Sequence, residues 1–198
     1  MFLKNNLRYR ILPVVFVSLA VVSCVTETVT TSPTMKFSDT AVVSVQDADN
    51  AISAGSTFAW LPEAVRVYED ARLQDADVKS LIESEIIKNL EAKKMKPVDS
   101  VNGASYVIAY TAALESSLDD KAIIQQFGLS PGKASLPGGD ANTEKGSLII
   151  YVMNKKSDRV VWRSAVQLGV KFDAPAEQRS ARVRQLVAEM FQTFPAAE

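Results

Sequence analysis

Two segments of the chain carry apolar residues at helical spacing. The first predicts an amphipathic helix that Asp75 or Asp77 caps and that Pro97 follows. The second predicts a closing helix that begins after Asp173 and ends before Pro195. The apolar stripes are Val78, Ile82, Ile86 and Leu90 in the first helix, and Val183, Leu186, Val187, Met190, Phe191 and Phe194 in the second.

Five other segments have the composition or the alternation of β-strands. Ala104–Leu114 is apolar or small on both faces, which predicts a central strand, and the polar Asn154–Asp158 predicts the turn of a hairpin. In the last strand, Trp162 and Val166 share one face, whereas Val161, Arg163, Ala165, Gln167 and Lys171 share the other. The predicted strands are Val42–Val45, Thr57–Trp60, Ala104–Leu114, Ser147–Met153 and Arg159–Phe172.

The order of these elements is strand, strand, helix, strand, hairpin, helix. It predicts an α+β two-layer sandwich, with one mixed, mostly antiparallel β-sheet and two α-helices packed on one face. The strand–helix–strand part predicts a parallel pair joined by a right-handed crossover. Residues 115–145 are rich in Gly and Pro and are predicted to be a flexible insertion, in which Asp119–Phe127 can form one or two helical turns. The alternative is that the insertion folds over the second face of the sheet.

The first 22 residues have the pattern of a secretory signal peptide. Residues 1–10 carry three positive charges, and the apolar run Ile11–Val22 is shorter than the roughly 20 residues that a spanning helix needs. The run ends in Val21-Val22-Ser23-Cys24, which resembles the lipobox of bacterial lipoproteins. That resemblance implies cleavage between Ser23 and Cys24 and lipidation of Cys24.

The predicted organisation is a signal peptide over residues 1–23, a lipidated tether over 24–34 and a single domain over 35–198. Acyl chains on Cys24 would anchor the protein stably in a membrane. In enterobacterial lipoproteins, an Asp after the cysteine marks retention in the inner membrane, so Val25 implies the outer membrane. We therefore expect an exported protein on the periplasmic side of the outer membrane, with the inner membrane as the alternative.

Composition argues against several classes of function. The net charge of −1 does not favour nucleic acid, which requires a clustered basic surface. The chain has no histidine, which removes the commonest general base and the commonest zinc ligand. We predict no catalytic residue, no metal site and no cofactor.

One motif resembles the nucleophile motif of hydrolases. Gly128-Leu129-Ser130-Pro131-Gly132 matches the G-x-S-x-G pattern, but no histidine can activate Ser130. The residue after the nucleophile must also offer an N–H to the oxyanion, and Pro131 has none. The adjacent acids Asp119 and Asp120 are read as solvated loop residues, although a hydrolase that uses carboxylates alone is kept as a third hypothesis.

Short motifs of the domain resemble the bacterial lipoproteins grouped as domain of unknown function 4136. They are Ser56–Trp60, Gly146–Ile150 followed by Val160–Arg163, and the closing Phe194-Pro195. The chain departs from the family at Lys94-Met95, where a Gly is frequent, and at Ala104-Ser105, where Ala-Asp is frequent. The resemblance implies no activity.

The sequence therefore favours a non-enzymatic protein-interaction or envelope-accessory domain, whose partners are the membrane and another envelope protein. The alternative is a small-molecule or lipid-binding module that uses the open sheet face. In both cases the predicted binding face is the sheet face that the two helices leave uncovered. Its candidate residues are Tyr151, Arg163, Gln167 and Lys171.

Overall fold

The computed structural model describes residues 40–47, 51–68, 70–73, 77–129 and 141–195. Cys24, the signal peptide and the tether lie outside the described residues. The strands are β1 (Ala41–Gln46), β2 (Thr57–Trp60), β3 (Arg66–Val67), β4 (Lys96–Pro97), β5 (Tyr106–Leu114), β6 (Thr143–Asn154) and β7 (Arg159–Lys171). The α-helices are α1 (Val78–Ala92), α2 (Asp120–Phe127) and α3 (Ala176–Met190).

The described strands form one mixed sheet in the order β1-β7-β6-β5-β2-β4, with β3 also beside β5. The long strands β5, β6, β7 and β1 are antiparallel neighbours, and β2 and β5 are parallel. The predicted α+β class and its mixed, mostly antiparallel sheet are confirmed. The pattern missed β3 and β4, because two residues are too few to show a period.

The main core lies between the sheet and the helices α1 and α3. Trp162 is at its centre, and its ring centroid is 5.0 Å from those of Phe191 and Phe194. Trp162 and Phe191 are each 1% exposed, as the sequence predicted. From α1, the residues Ile82, Ile86 and Leu90 complete this core.

A β-bulge changes the predicted faces of β7. Val152 pairs with Trp162, but Met153 pairs with Val160, so Val161 has no partner on β6. The prediction that Val161 shares the face of Arg163 is wrong, since Val161 is buried in the main core beside Trp162. The extra residue of a bulge interrupts the alternation of a strand, which moves Val160 to the face of Arg163.

The segment predicted as a flexible insertion contains the third helix. Asp119 caps α2 by accepting a hydrogen bond from the Ala122 N–H at 2.8 Å, and Gly128 ends the helix with a left-handed φ of 60°. This helix packs on the sheet face opposite α1 and α3. The buried side chains of the contact are Ala113, Leu118, Ile123, Leu129, Ile149 and Ala165.

Residues 115–129 thus contain a capped helix with a buried apolar side, and residues 143–145 belong to β6. The predicted helical turns over Asp119–Phe127 are confirmed, whereas the flexibility of the insertion stays a prediction. Residues 130–140 lie outside the described residues. Of the two alternatives that the sequence left open, packing over the second face is the one that residues 115–129 adopt.

The C-terminus of α1 has a lysine in a position that favours glycine. The N–H of Met95 donates to the Leu90 carbonyl at 3.0 Å, and that of Lys94 donates to the Glu91 carbonyl at 2.8 Å. These two bonds form a Schellman motif, in which the residue at the Lys94 position is left-handed. The φ of Lys94 is 63°, a left-handed value that glycine adopts without steric strain.

We expect Lys94→Gly to raise the free energy of unfolding by about 0.5–1 kcal/mol, because glycine adopts a left-handed φ without steric strain. Urea denaturation measures the change. The matched control is Lys93→Gly, whose native φ of −87° suits any residue and which should lower the stability by a similar amount. Destabilisation by both variants would contradict the left-handed conformation of Lys94.

Candidate interaction face

The second face of the sheet, opposite α1 and α3, carries the four residues that the sequence proposed for binding. Tyr151 and Arg163 are direct cross-strand neighbours, Gln167 pairs with Ser147, and Lys171 lies at the end of β7. The structure therefore places them on one face, as alternation predicted. It does not leave them equally accessible, because residues 115–129 cover part of this face.

Gln167 is fully buried beneath the N-terminus of α2. Its amide nitrogen donates to Asp120 Oδ1 at 2.5 Å and to Ser147 Oγ at 3.3 Å. A buried amide with these partners fixes the helix to the sheet and is not accessible to a ligand. Of the proposed binding residues, Gln167 is thus the one that belongs to the interior of the domain.

Lys145 extends the same polar network. Its ammonium group lies 2.8 Å from both Glu115 and Asp120, and its side chain is only 11% exposed. Burial alone would lower the pKa of Lys145, but hydrogen bonds and charge attraction from the two carboxylates outweigh burial and raise the pKa. The ammonium group therefore stays charged and holds Asp120 at the start of α2.

Arg163 holds the other end of α2. Its Nη1 donates to the Phe127 carbonyl at 2.9 Å, which places a cation at the negative end of the helix dipole. Gly128 is favoured here by its left-handed φ of 60°, since a Cβ at this position would make only an ordinary contact, 3.4 Å, with the same nitrogen. Arg163 is half-buried and reaches the surface beside this turn.

Exposed apolar side chains gather around Arg163. Val45 is its cross-strand neighbour on β1, and Val160 lies on the same face because of the bulge. Together with Ile124 on α2, they are the large apolar side chains that are exposed in the described part of the chain, at 43–48%. We call Val45, Tyr151, Val160 and Arg163 the Arg163 surface.

Tyr151 contributes a partly buried ring to the Arg163 surface. Its centroid lies 6.3 Å from that of Phe127, and its hydroxyl is 3.5 Å from the Ala64 carbonyl. Burial raises the pKa of the Tyr151 hydroxyl, which therefore remains neutral and able to donate. The alternation in the sequence put Tyr151 and Arg163 on one face, and the register shows that they are neighbours. The alternation did not put Val160 there, because only the bulge turns that residue to this side.

The described residues contain neither a candidate metal site nor a candidate membrane-spanning helix. Within the described residues, no group of three His, Cys, Asp or Glu side chains is arranged to hold a metal ion. None of the described helices is long and apolar enough to cross a membrane. The Arg163 surface itself contains a cation, a phenol and aliphatic groups, which are suited to contact with another molecule.

A comparison with protein families gives one match. The model of the DUF4136 family, a domain of unknown function, matches residues 42–196, which is most of the chain. The chain belongs to the DUF4136 family. No functionally curated protein matches it.

Solved structures show that the fold of this DUF4136 protein occurs elsewhere. A PelC dodecamer from Paraburkholderia phytofirmans is 12% identical, with a TM-score of 0.50 over 80% of this chain and 99% of that chain. A DUF4136 family protein from Bacteroides thetaiotaomicron is 17% identical, with a TM-score of 0.47 over 80% and 97%. A minor lipoprotein from Acinetobacter baumannii is 10% identical, with a TM-score of 0.35 over 71% and 93%. At these identities the likeness concerns the fold alone.

Proposed function

We propose that this DUF4136 protein is an exported lipoprotein, anchored to the outer membrane through Cys24, whose domain binds another envelope protein without catalysing a reaction. The observation that carries the interaction is the Arg163 surface. It combines arginine and tyrosine, which are enriched at protein interfaces, with the exposed apolar side chains of Val45 and Val160.

The anchoring part of the proposal is supported by the charged start of the chain, the short apolar run and the lipobox-like residues before Cys24. Fifteen residues, 25–39, lie between Cys24 and Thr40, where the described domain begins. A chain of that length reaches at most ~55 Å when fully extended. The domain can therefore contact a partner at some distance from the lipid.

We expect fatty-acid labelling to mark the wild-type protein and to be absent from Cys24→Ala, since the acyl chain is attached to the cysteine thiol. The labelled wild type should sediment with membranes and the variant should not. Label retained on Cys24→Ala would contradict the anchoring proposal. The sorting step is tested by Val25→Asp in an enterobacterial host, which should move the protein to the inner membrane.

We expect Val45→Asp and Val160→Asp each to abolish a crosslinked adduct that the wild-type protein forms in envelopes. A buried carboxylate without a partner would strongly oppose docking of an apolar surface. Both positions are exposed, so the fold should tolerate the change. Arg163→Glu is less informative, because it also removes the hydrogen bond that Arg163 donates to the Phe127 carbonyl.

The matched control is Gln178→Asp, an exposed position on α3 that receives the same charge. Crosslinking followed by mass spectrometry measures the adduct. If the wild type forms no adduct, or if both valine variants keep it, the Arg163 surface does not bind an envelope protein.

A second candidate partner is another copy of this chain. β1 lies at an edge of the sheet and contains neither charge nor proline, whereas the opposite edge is the short β4 with Lys96 and Pro97. Exposed strand edges without such protection favour pairing with another strand. A structural neighbour with the same fold, PelC, is a dodecamer. The mass of the crosslinked adduct distinguishes this candidate from a different envelope protein.

A further inference from the structure

Strand β1 directs a row of backbone groups away from the described sheet. Among the described strands, β7 is its only neighbour. In an antiparallel ladder, alternate residues direct both their N–H and their C=O groups towards the neighbouring strand. The Asp47 N–H donates to the Val161 carbonyl at 2.8 Å, so the residues two and four positions before Asp47 also face β7. The N–H and C=O groups of Val42, Ser44 and Gln46 therefore point outwards.

This edge is suited to accept a further strand. The three outward residues provide three N–H donors and three C=O acceptors on one side of β1. β1 contains three valines but neither charge nor proline, which are the features that protect exposed edges in natural proteins. The side chain of Val45, on the same strand, is 44% exposed. An added strand would therefore satisfy the backbone groups and cover apolar surface.

A second copy of β1 matches this edge when the two strands run antiparallel about a two-fold axis at Ser44. Ser44 then pairs with Ser44 of the second copy, and Val42 pairs with Gln46, so every outward backbone group has a partner. Between these pairs, Val45 lies beside Val43 of the second copy on the second face of the sheet. A shift of two residues in either direction leaves the outward groups of Val42 or Gln46 without a partner on β1.

The side chains of this arrangement are compatible with one another. Valine meets valine on the second face and serine meets serine at the axis, and no like charges face each other, because β1 is uncharged. In a two-fold contact each pair away from the axis occurs twice, which doubles its contribution. These matches favour a second copy over a strand of unrelated sequence.

The length of the tether allows both copies to be anchored in one membrane. In the antiparallel pair, Ala41 lies opposite Asp47 of the second copy, so the two Ala41 residues are ~20 Å apart along the strands. Each chain can extend at most ~55 Å between Cys24 and Thr40. Anchoring in a shared membrane would also raise the concentration of one copy near the other.

We propose that two copies of this chain associate through β1, antiparallel about a two-fold axis at Ser44, and that their sheets become continuous. The inference specifies how the second candidate partner of the proposed function binds. It rests on that candidate and not on the binding of a different envelope protein. The contact covers Val45, whereas Val160 on β7 stays exposed.

The first test measures the mass of the full chain in detergent by sedimentation velocity over a concentration series. All chains carry Cys24→Ala, which removes the only cysteine. The chain with native β1 should form a dimer, and Gln46→Pro should weaken it at least about tenfold, because each copy loses an outward N–H. The matched control is Gln46→Ala, which loses the same exposed side chain but keeps the N–H. It should dimerise like the chain with native β1.

The second test traps the pairs as disulfides and identifies the register. The Cα atoms of a non-hydrogen-bonded antiparallel pair are ~4.5 Å apart, which a disulfide can bridge. A mixture of Val43→Cys and Val45→Cys chains with tags of different length should therefore give the mixed dimer in oxidised glutathione. Neither variant should form a disulfide with itself, because identical positions are diagonal neighbours ~7–8 Å apart.

Equal dimerisation of Gln46→Pro and Gln46→Ala would overturn the proposal, as would a chain that is monomeric at every concentration and gives no mixed disulfide. Preferential trapping of either cysteine variant with itself would overturn the axis at Ser44. Val160→Asp should still dimerise, because Val160 lies outside the paired strands. Loss of the envelope adduct in that variant therefore distinguishes binding of an envelope protein from self-association.

Discussion

Trp162→Ala should lower the free energy of unfolding by about 3–5 kcal/mol, the range for truncating a fully buried aromatic residue. The indole is 1% exposed and packs against Phe191 and Phe194, whose centroids lie 5.3 Å from each other. Removal would leave a cavity where the last strand meets the C-terminal helix. These three rings join elements that are distant in sequence, so no local rearrangement can fill that space.

Urea denaturation of Trp162→Ala, followed by circular dichroism, provides the measurement. Val160→Ala on the same strand is the control, since Val160 is 43% exposed and its truncation should cost less than about 0.5 kcal/mol. A loss below about 1 kcal/mol for Trp162→Ala would show that the helices do not close over this face.

Asp120→Ala should lower the free energy of unfolding by about 1–3 kcal/mol, because the variant leaves the buried Gln167 amide with only one of its two acceptors, Ser147 Oγ. Gln167 donates to this carboxylate from the interior, and Lys145 would lose one of its two carboxylate partners. The variant should therefore loosen α2 from the sheet and expose the apolar residues beneath it.

Hydrogen exchange separates local loosening from global destabilisation. The Ile123 amide should exchange faster in Asp120→Ala, whereas amides in β6 should follow the global stability. Lys121→Ala, at the neighbouring exposed position, should leave both unchanged. Unaltered exchange at Ile123 in the Asp120 variant would mean that the polar network does not hold the helix.

The strongly periodic parts of the fold could be predicted from the sequence. The stripe from Val78 to Leu90 and the alternation around Arg163 indicate a buried face directly, because a helix or strand of that length cannot hide its apolar residues in any other way. Asp77 was also correct as a cap, since its side chain accepts from the Ser80 N–H at 2.9 Å.

Other features depend on distant parts of the chain. The bulge at Val161 is a property of the pairing between β6 and β7, and nothing in the β7 sequence alone marks it. The covering of the second face by α2 had a readable signal in Asp119, Ile123 and Gly128, which are a cap, a buried position and a left-handed end. The sequence therefore predicted helical turns here, but it could not show that the helix packs on the sheet, because that contact depends on distant strands.

The sequence predicted the candidate surface only in part, because the burial of β7 residues also depends on a distant segment of the chain. Alternation placed Tyr151 and Arg163 together, and the register confirms that they are neighbours. Alternation cannot show which residues a helix from another segment will bury, so Gln167 was included although it lies beneath Asp120.

The direction of β1 has a mechanical consequence. Its six residues pair with β7 from Ala41 to Gln46, and the chain enters the sheet at the end opposite the turn between β6 and β7. If that turn is held by a partner while the N-terminal end of β1 is pulled, the force runs along the strand axis. Ladder hydrogen bonds are perpendicular to that axis, so the pull shears them all together and does not open them one at a time. The first strand is thus oriented to bear tension.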